Sequence, residues 1–246
     1  MINKLNLQAT INKYYLNGLI EAVKWTIKDN KLNIKFTSPT KEMLGEIIYN
    51  NISLPDSSVG ISNTTQLLKL ISITSGDIML NYLVNNKIPA KLIISDNQFE
   101  VNYTLADLLT IPKSGEYNGP QEYNFEIELN TEILLALIKA KSALPESSTV
   151  MLSPSLGSDG EPQLELTFGG DIEYANKVSY FLSNIKQQGA PSSFSLGFNS
   201  DLLKEILSVN KDAEKAKICI NLEGLMKLEF ESDDIKNTYY IVKKDI

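Results

Sequence analysis

Asn199-Ser200-Asp201-Leu202-Leu203-Lys204-Glu205-Ile206-Leu207-Ser208-Val209 carries a helical period that soon gives way to the period of a strand. Leu202, Leu203, Ile206 and Leu207 stand at i, i+1, i+4 and i+5, which gathers them into one apolar stripe of a helix. Ser200 or Asp201 is placed to accept from the free amides of the first turn. Ser200, Lys204, Ser208 and Lys211 fall on another face. Beyond the helix, Ile218, Ile220 and Leu222 alternate with Lys217, Cys219 and Asn221. Glu223-Gly224 reads as a tight turn. Met226, Leu228 and Phe230 then alternate with Lys227, Glu229 and Glu231, and after Asp233-Asp234 comes a third strand, 238–242. A short capped helix thus leads into an antiparallel meander.

The unit occurs twice. Asn63-Thr64-Thr65-Gln66-Leu67-Leu68-Lys69-Leu70-Ile71-Ser72-Ile73 opens another copy, followed by strand-like runs at 78–84, 87–94 and 99–105. The two Leu-Leu-Lys triplets begin at residues 67 and 202, 135 positions apart in a chain of 246. Duplication of a domain is the simplest explanation.

The rest of the chain fits that division. A helix over 5–18 sets Leu7, Ile11, Tyr15 and Leu19 inward, with Asn6, Thr10, Lys13 and Asn17 on its polar side. Strands follow at 22–27 and 31–36, the latter with Leu32, Ile34 and Phe36 in and Lys31, Asn33 and Lys35 out. Two more are expected at 43–52 and 58–62. Residues 107–120, with two Pro and two Gly, read as a linker whose Leu108, Leu109 and Ile111 should be packed. The second half opens with a strand at 123–129. Its helix runs from the cap at Asn130 to Leu144, with Leu134, Leu137 and Ile138 inside and Lys139 and Ser142 outside. Strands are expected at 149–153, 163–168, 177–182 and 192–198, with turns at 157–160 and 169–171. Each half therefore reads helix, four strands, helix, three strands, an α+β pattern of two helices on antiparallel sheets.

Composition excludes several chemistries. There is no His, and all 23 basic residues are Lys. That removes the commonest general base and metal ligand, and the planar fork that reads guanine. Cys219, the single cysteine, can form no intrachain disulfide, and as a nucleophile it lacks a His partner. No glycine-rich phosphate loop and no Cys/His cluster occurs. The acidic pairs Asp233-Asp234 and Asp171/Glu173 sit in expected turns, where solvation explains them. No apolar run approaches the ~18 residues of a membrane helix. Met1-Ile2-Asn3-Lys4-Leu5-Asn6 lacks the apolar core of a signal peptide, so the cytoplasm is the expected compartment. The net charge of −7 speaks against a nucleic-acid binder unless lysines collect on one surface. Each of the four expected helices carries lysine on its polar side: Lys13, Lys69, Lys139 with Lys141, and Lys204 with Lys211. Side by side, such helices would make a weak, sequence-blind surface for phosphates.

In this order the chain resembles the DNA sliding clamps, the DNA polymerase processivity factors of the two-domain type found in eukaryotes, archaea and tailed phages. Leu19-Ile20-Glu21-Ala22-Val23-Lys24-Trp25 resembles the passage from first helix to first strand. Leu109-Thr110-Ile111-Pro112 resembles the interdomain connector, Pro120-Gln121-Glu122-Tyr123 the return into the second domain, and Tyr239-Tyr240-Ile241-Val242 the aromatic last strand. The tail Val242-Lys243-Lys244 lacks the proline usual in eukaryotic clamps, and the connector has extra residues between Pro112 and Pro120.

The resemblance implies duplicated clamp domains at 1–107 and 123–246, a connector at 108–122, and three copies closing a ring around duplex DNA. It implies no catalytic residue and no cofactor. Lys13, Lys69, Lys139 and Lys211 match basic positions of the family, while Lys141 and Lys204 join the expected DNA-facing set from helix geometry. Leu109, Ile111 and Pro112, with Tyr240 and Ile241, match a pocket for short peptides of the polymerase, the clamp loader and other factors. The Lys-only basicity and abundant Asn and Ile fit an AT-rich phage genome, which would place the protein in a bacterial cytoplasm. Two other readings remain open at this point: a structural β-rich phage protein of tail or capsid, and a hydrolase using the acidic turns.

Overall fold

Four α-helices are described in the chain, and each starts on an asparagine. The Asn3 side-chain oxygen accepts from the amides of Leu5 and Asn6, Asn63 from Gln66, Asn130 from Ile133, and Asn199 from Asp201 and Leu202. Such a cap satisfies donors that no helical carbonyl can reach and stabilises a helix by about 1 kcal/mol. The cap of the last helix is thus Asn199 rather than Ser200 or Asp201. Ser200 lies inside the first turn, and its hydroxyl donates to the Ser147 carbonyl at 2.5 Å.

The computed structural model describes residues 1–158, 160–170, 175–188 and 193–245. The chain forms two units, Met1–Glu116 with Asp233–Asn237, and Tyr117–Ser232 with Thr238–Ile246. The first contains β1 (Ile2–Asn3), α1 (Lys4–Tyr15), β2 (Val23–Lys28), β3 (Lys31–Thr37), β4 (Met43–Asn50), β5 (Ser57–Ile61), α2 (Thr64–Ser72), β6 (Asp77–Asn85), β7 (Ile88–Ser95) and β8 (Glu100–Thr104). The second contains β9 (Phe125–Leu129), α3 (Thr131–Ala143), β10 (Thr149–Leu156), β11 (Pro162–Gly169), β12 (Lys177–Leu182), β13 (Lys186–Gln187), β14 (Leu196–Asn199), α4 (Ser200–Val209), β15 (Lys215–Asn221), β16 (Leu225–Ser232) and β17 (Ile235–Val242). Residues 233–237 count with the first unit, where the Asp234 carbonyl accepts from the Asn50 amide at 2.9 Å.

Within each unit the sheets have the same plan. The four strands after the first helix run β5-β2-β3-β4 in one unit and β14-β10-β11-β12 in the other. The meander after the second helix, joined by the strand before the first, runs β1-β6-β7-β8 and β9-β15-β16-β17, with the two-residue β13 beside β9. All registered pairings are antiparallel. In each unit the two helices pack on one another. Cap to cap, Asn63 and Asn199 are 136 positions apart, one more than the Leu-Leu-Lys triplets. The structural register therefore matches buried Leu67 to Leu203 and Ile71 to Leu207. Thr64 and Ser200, first residues of these helices, bury hydroxyls that donate to the Glu21 and Ser147 carbonyls.

Alternation places the core. Leu32, Ile34 and Phe36 are buried, as are Leu202, Leu203, Ile206 and Leu207. Phe36 fits because its partner across β3 and β4 is Gly45, where a Cβ would lie 2.1 Å from the ring. Other expectations are corrected. Thr10 and Lys13, assigned to the polar side of α1, are buried, because α1 packs against α2, β4 and β1 and so has more than one stripe covered. Of the two tyrosines of α1, Tyr14 is fully buried and Tyr15 only half-buried. Cys219 and Asn221 are also buried; Asn221 reaches the Glu122 carbonyl, and Lys227 stands opposite Cys219. Leu109, expected to pack, is exposed. Asp171 and Glu173 lie outside the described residues, as do Asp159 of the 157–160 turn and the start of the strand expected at 192–198. No helix among the described residues is long and apolar enough to cross a membrane.

Candidate nucleic-acid and partner surfaces

The expected lysines fall into distinct environments. Lys69, in the last turn of α2, Lys139 on α3, and Lys211 just beyond α4 are exposed. Near a helix C-terminus a lysine also favours the helix dipole. Lys204 is half-buried on α4, and Lys13 is buried within the first unit.

Lys141 is only 2% exposed. Its ammonium lies 3.0 Å from the Asp201 carboxylate and donates to the carbonyls of Ser147 at 2.7 Å and Pro145 at 2.9 Å. It is committed to closing the turn after α3 and fastening it to the start of α4. Lys4, which the sequence did not single out, does related work in the first unit: its ammonium donates to the carbonyls of Ser72 and Thr74 at the end of α2. Neither role shows in a pattern, because carbonyl acceptors belong to every residue type.

The connector begins tied to the first unit. Asp107 accepts from the Leu109 amide at 2.9 Å and starts a single 3-10 turn, Leu108–Thr110. Ile111 is buried against Gly60, where a Cβ would come within 2.9 Å of its side chain. Glycine is thus needed at position 60 for close approach. Pro112 is exposed, and Leu109 is 93% exposed. The Gly115 amide donates to the Thr37 hydroxyl at 3.0 Å.

Within the second unit the aromatic residues assemble. Tyr240 stacks on Tyr117 at 3.9 Å between ring centroids and 13° between planes. The Tyr117 hydroxyl donates to the Pro120 carbonyl and lies 3.3 Å from that of Tyr123. The Lys227 ammonium stands 5.6 Å from the Tyr123 ring centroid and 6.0 Å from that of Tyr240. Burial pushes the Tyr123 phenol well above its ordinary range, with the Tyr117 hydroxyl adding to the shift. Ile241 points into the core. The sequence pointed to Tyr240 alone; Tyr117 and Tyr123, flanking Gly119-Pro120, were the available signal for the rest.

Burial pushes the Cys219 thiol up to about 11, so it is no ready nucleophile. Among the described residues no cluster of three or more potential metal ligands occurs.

No family model matches the sequence, and no curated protein matches it. Solved structures do match, over nearly the whole of both chains. One is Proliferating Cellular Nuclear Antigen from Entamoeba histolytica, 16% identical, with a TM-score of 0.76 over 99% of this chain and 96% of that one. Another is A. fulgidus PCNA with the C-terminal region of FEN-1 bound, 15% identical, TM-score 0.76, covering 100% and 97%. A third is a chain of the PCNA2–PCNA3 complex from Sulfolobus tokodaii, 11% identical, TM-score 0.73, covering 99% and 98%. The fold is the sliding-clamp fold.

Proposed function

We propose that this chain is a DNA polymerase sliding clamp, a processivity factor whose copies close a ring, most simply of three, around duplex DNA. The observation that carries this reading is a clamp fold matched end to end, 99–100% of this chain against 96–98% of its structural counterparts. A tether of this kind needs no catalytic group; it needs a surface on which DNA slides. Lys69, Lys139 and Lys211 supply exposed point charges for it, with Lys204 at partial exposure. Lys13 and Lys141 are buried and leave this set. Contacts to phosphate by lysine alone are sequence-blind and salt-sensitive, each contributing about 0.9 to the salt slope.

The exposed Leu109 on an anchored connector, beside Ile111 and Pro112, is the apolar feature on which a partner peptide would dock, with Tyr240 as a further candidate and Ile241 withdrawn into the core. The C-terminal region of FEN-1 bound to A. fulgidus PCNA is the precedent for such a peptide. Polymerase and clamp loader are the partners expected here. The all-lysine, Asn- and Ile-rich composition favours a phage-encoded clamp acting in a bacterial cytoplasm.

Two measurements test the reading. Native mass should be near three times the 27.4 kDa chain. Changing Lys69, Lys139 and Lys211 together to Ala should shorten the product of clamp-dependent synthesis without altering the circular dichroism spectrum. Unchanged processivity would remove these lysines from the DNA surface, and a strictly monomeric protein would count against the ring.

A further inference from the structure

β2 and β3 carry an unusual outer face. Val23, Trp25 and Ile27 of β2 and Leu32, Ile34 and Phe36 of β3 are buried, and Phe36 meets Tyr14 of α1 at 6.4 Å between ring centroids. That side of the hairpin faces the helices. The side chains between them point the other way: Lys24, Thr26 and Lys28 on β2, and Lys31, Asn33 and Lys35 on β3. Register sets lysine opposite lysine twice, Lys24 with Lys35 and Lys28 with Lys31, and Thr26 opposite Asn33 between them. Like charges directly opposite in a sheet are destabilising. Yet this acidic chain places four of its 23 lysines there.

Neighbouring carboxylates compensate only in part. Glu46 pairs with Lys35 at 3.7 Å and accepts from Asn33 at 2.7 Å. Asp29 stands in the turn between the strands. Among the described residues Lys24, Lys28 and Lys31 have no ion-pair partner. The four lysines, Thr26, Asn33, Asp29 and the connector's Ser114 line a groove of about 530 Å³. The corresponding strand positions of the second unit carry no lysine. Its corresponding pairs on β10 and β11 are Met151 with Thr167, Ser153 with Glu165, and Ser155 with Gln163. The fold does not require the lysines.

We propose that this face docks an extended acidic segment of a partner protein. Alternate side chains of an extended segment are about 6.6 Å apart, the same spacing as Lys24, Thr26 and Lys28 along β2. Carboxylates four residues apart on the segment would therefore meet Lys24 and Lys28, or Lys35 and Lys31, with a polar residue over Thr26 or Asn33. A duplex fits less well. The face is only two strands wide, Asp29 and Glu46 interrupt its positive charge, and it lies on the far side of the sheet from the helices. This last point rests on the reading above, in which duplex DNA lies on the helix side.

Fluorescence anisotropy of the full chain tests it with a labelled peptide of Glu-Thr-Ser-Thr repeats, its Gln-for-Glu counterpart, single-stranded oligothymidylate and a labelled duplex, all at low salt. The Glu peptide should bind and the Gln peptide should not. Lys24→Glu and Lys28→Glu together, each then facing a lysine on β3, should weaken the Glu peptide by about tenfold or more. The melting temperature should not fall, since the repulsion across the strands is relieved. Lys24→Gln, Lys28→Gln and Lys31→Gln together provide the same test without new carboxylates. Equal peptide binding by wild type and both variants overturns the proposal. So does tighter binding of oligothymidylate that the same substitutions abolish, because the face would then serve nucleic acid. If the protein is strictly monomeric and duplex binding ignores Lys69, Lys139 and Lys211 while the peptide follows the sheet lysines, the reading as a DNA clamp fails and the acidic-peptide site stands.

Discussion

Eleven residues past the capping asparagine of its first helix, one unit has Tyr14 and the other Lys141. Both side chains are buried, and both fasten that helix to the start of the second. Tyr14 does so with a hydroxyl, 3.2 Å from Thr64 Oγ1, and burial pushes its phenol far above the ordinary range, so the contact stays neutral. Lys141 does so with a charge, meeting Asp201 and the carbonyls of the turn that follows α3. Equivalent positions in a duplicated fold thus share geometry without sharing chemistry. An ammonium buried this deeply must collect several acceptors, whereas a phenol needs one.

The largest predicted effect follows from that difference. Lys141→Ala should cost about 3 kcal/mol in urea unfolding, because it removes a buried stem and leaves carbonyls without their donor. Tyr14→Phe, which removes one neutral hydrogen bond, should cost about 1 kcal/mol. Equal losses would show that the two units use this position alike. Next come the caps: Asn63→Ala and Asn199→Ala should each cost about 1 kcal/mol and agree within a few tenths, since the 136-residue register makes them equivalent. A much smaller loss for Asn199 would return the capping role to Ser200 or Asp201.

The outer faces provide a gentler test. Lys28→Glu should stabilise the chain by about 0.5 kcal/mol, because Lys31 opposite it gains an opposite charge. The smallest effect concerns Asp96 of the β7–β8 turn, whose carboxylate accepts from the amides of Phe99 and Gln98 in that turn and of Ser75 in the loop after α2. These bonds lower its pKa from 3.8 to about 2. A depressed carboxylate contributes stability that is full above its unfolded pKa and is lost as pH falls through the folded one. Wild type should therefore lose an advantage over Asp96→Ala as pH drops from about 4 to about 2, read as converging melting temperatures. Parallel curves across that window would separate the turn's stability from its charge.

Much of the fold was legible because it rests on local periods. The alternation in 31–36 and the stripe at Leu202, Leu203, Ile206 and Leu207 follow from strand and helix geometry, and the structure places all of these residues as expected. Less legible were faces that another part of the chain covers. Nothing local marks Lys13 or Thr10 as buried, since α1 is enclosed by elements distant in sequence. The duplication was visible through the Leu-Leu-Lys triplets, but its register was off by one, because two adjacent leucines allow either to be matched. Of the candidate surfaces, Lys69 and Lys139 were readable as exposed helix positions. The Tyr117–Tyr123–Tyr240–Lys227 cluster was not, because it joins residues more than a hundred positions apart.

By itself the sequence determined the order of elements, the repeated helix-and-meander unit, the absence of His and Arg, and the alternation that sets Lys31, Asn33 and Lys35 on one side of β3. Those depend on residue identity and on backbone periods of two and 3.6, both of which are written along the chain. Only the tertiary structure decided which polar residues are enclosed. It made Asn199 the cap, turned Lys141 inward and left Leu109 in solvent, because burial depends on what packs across a surface.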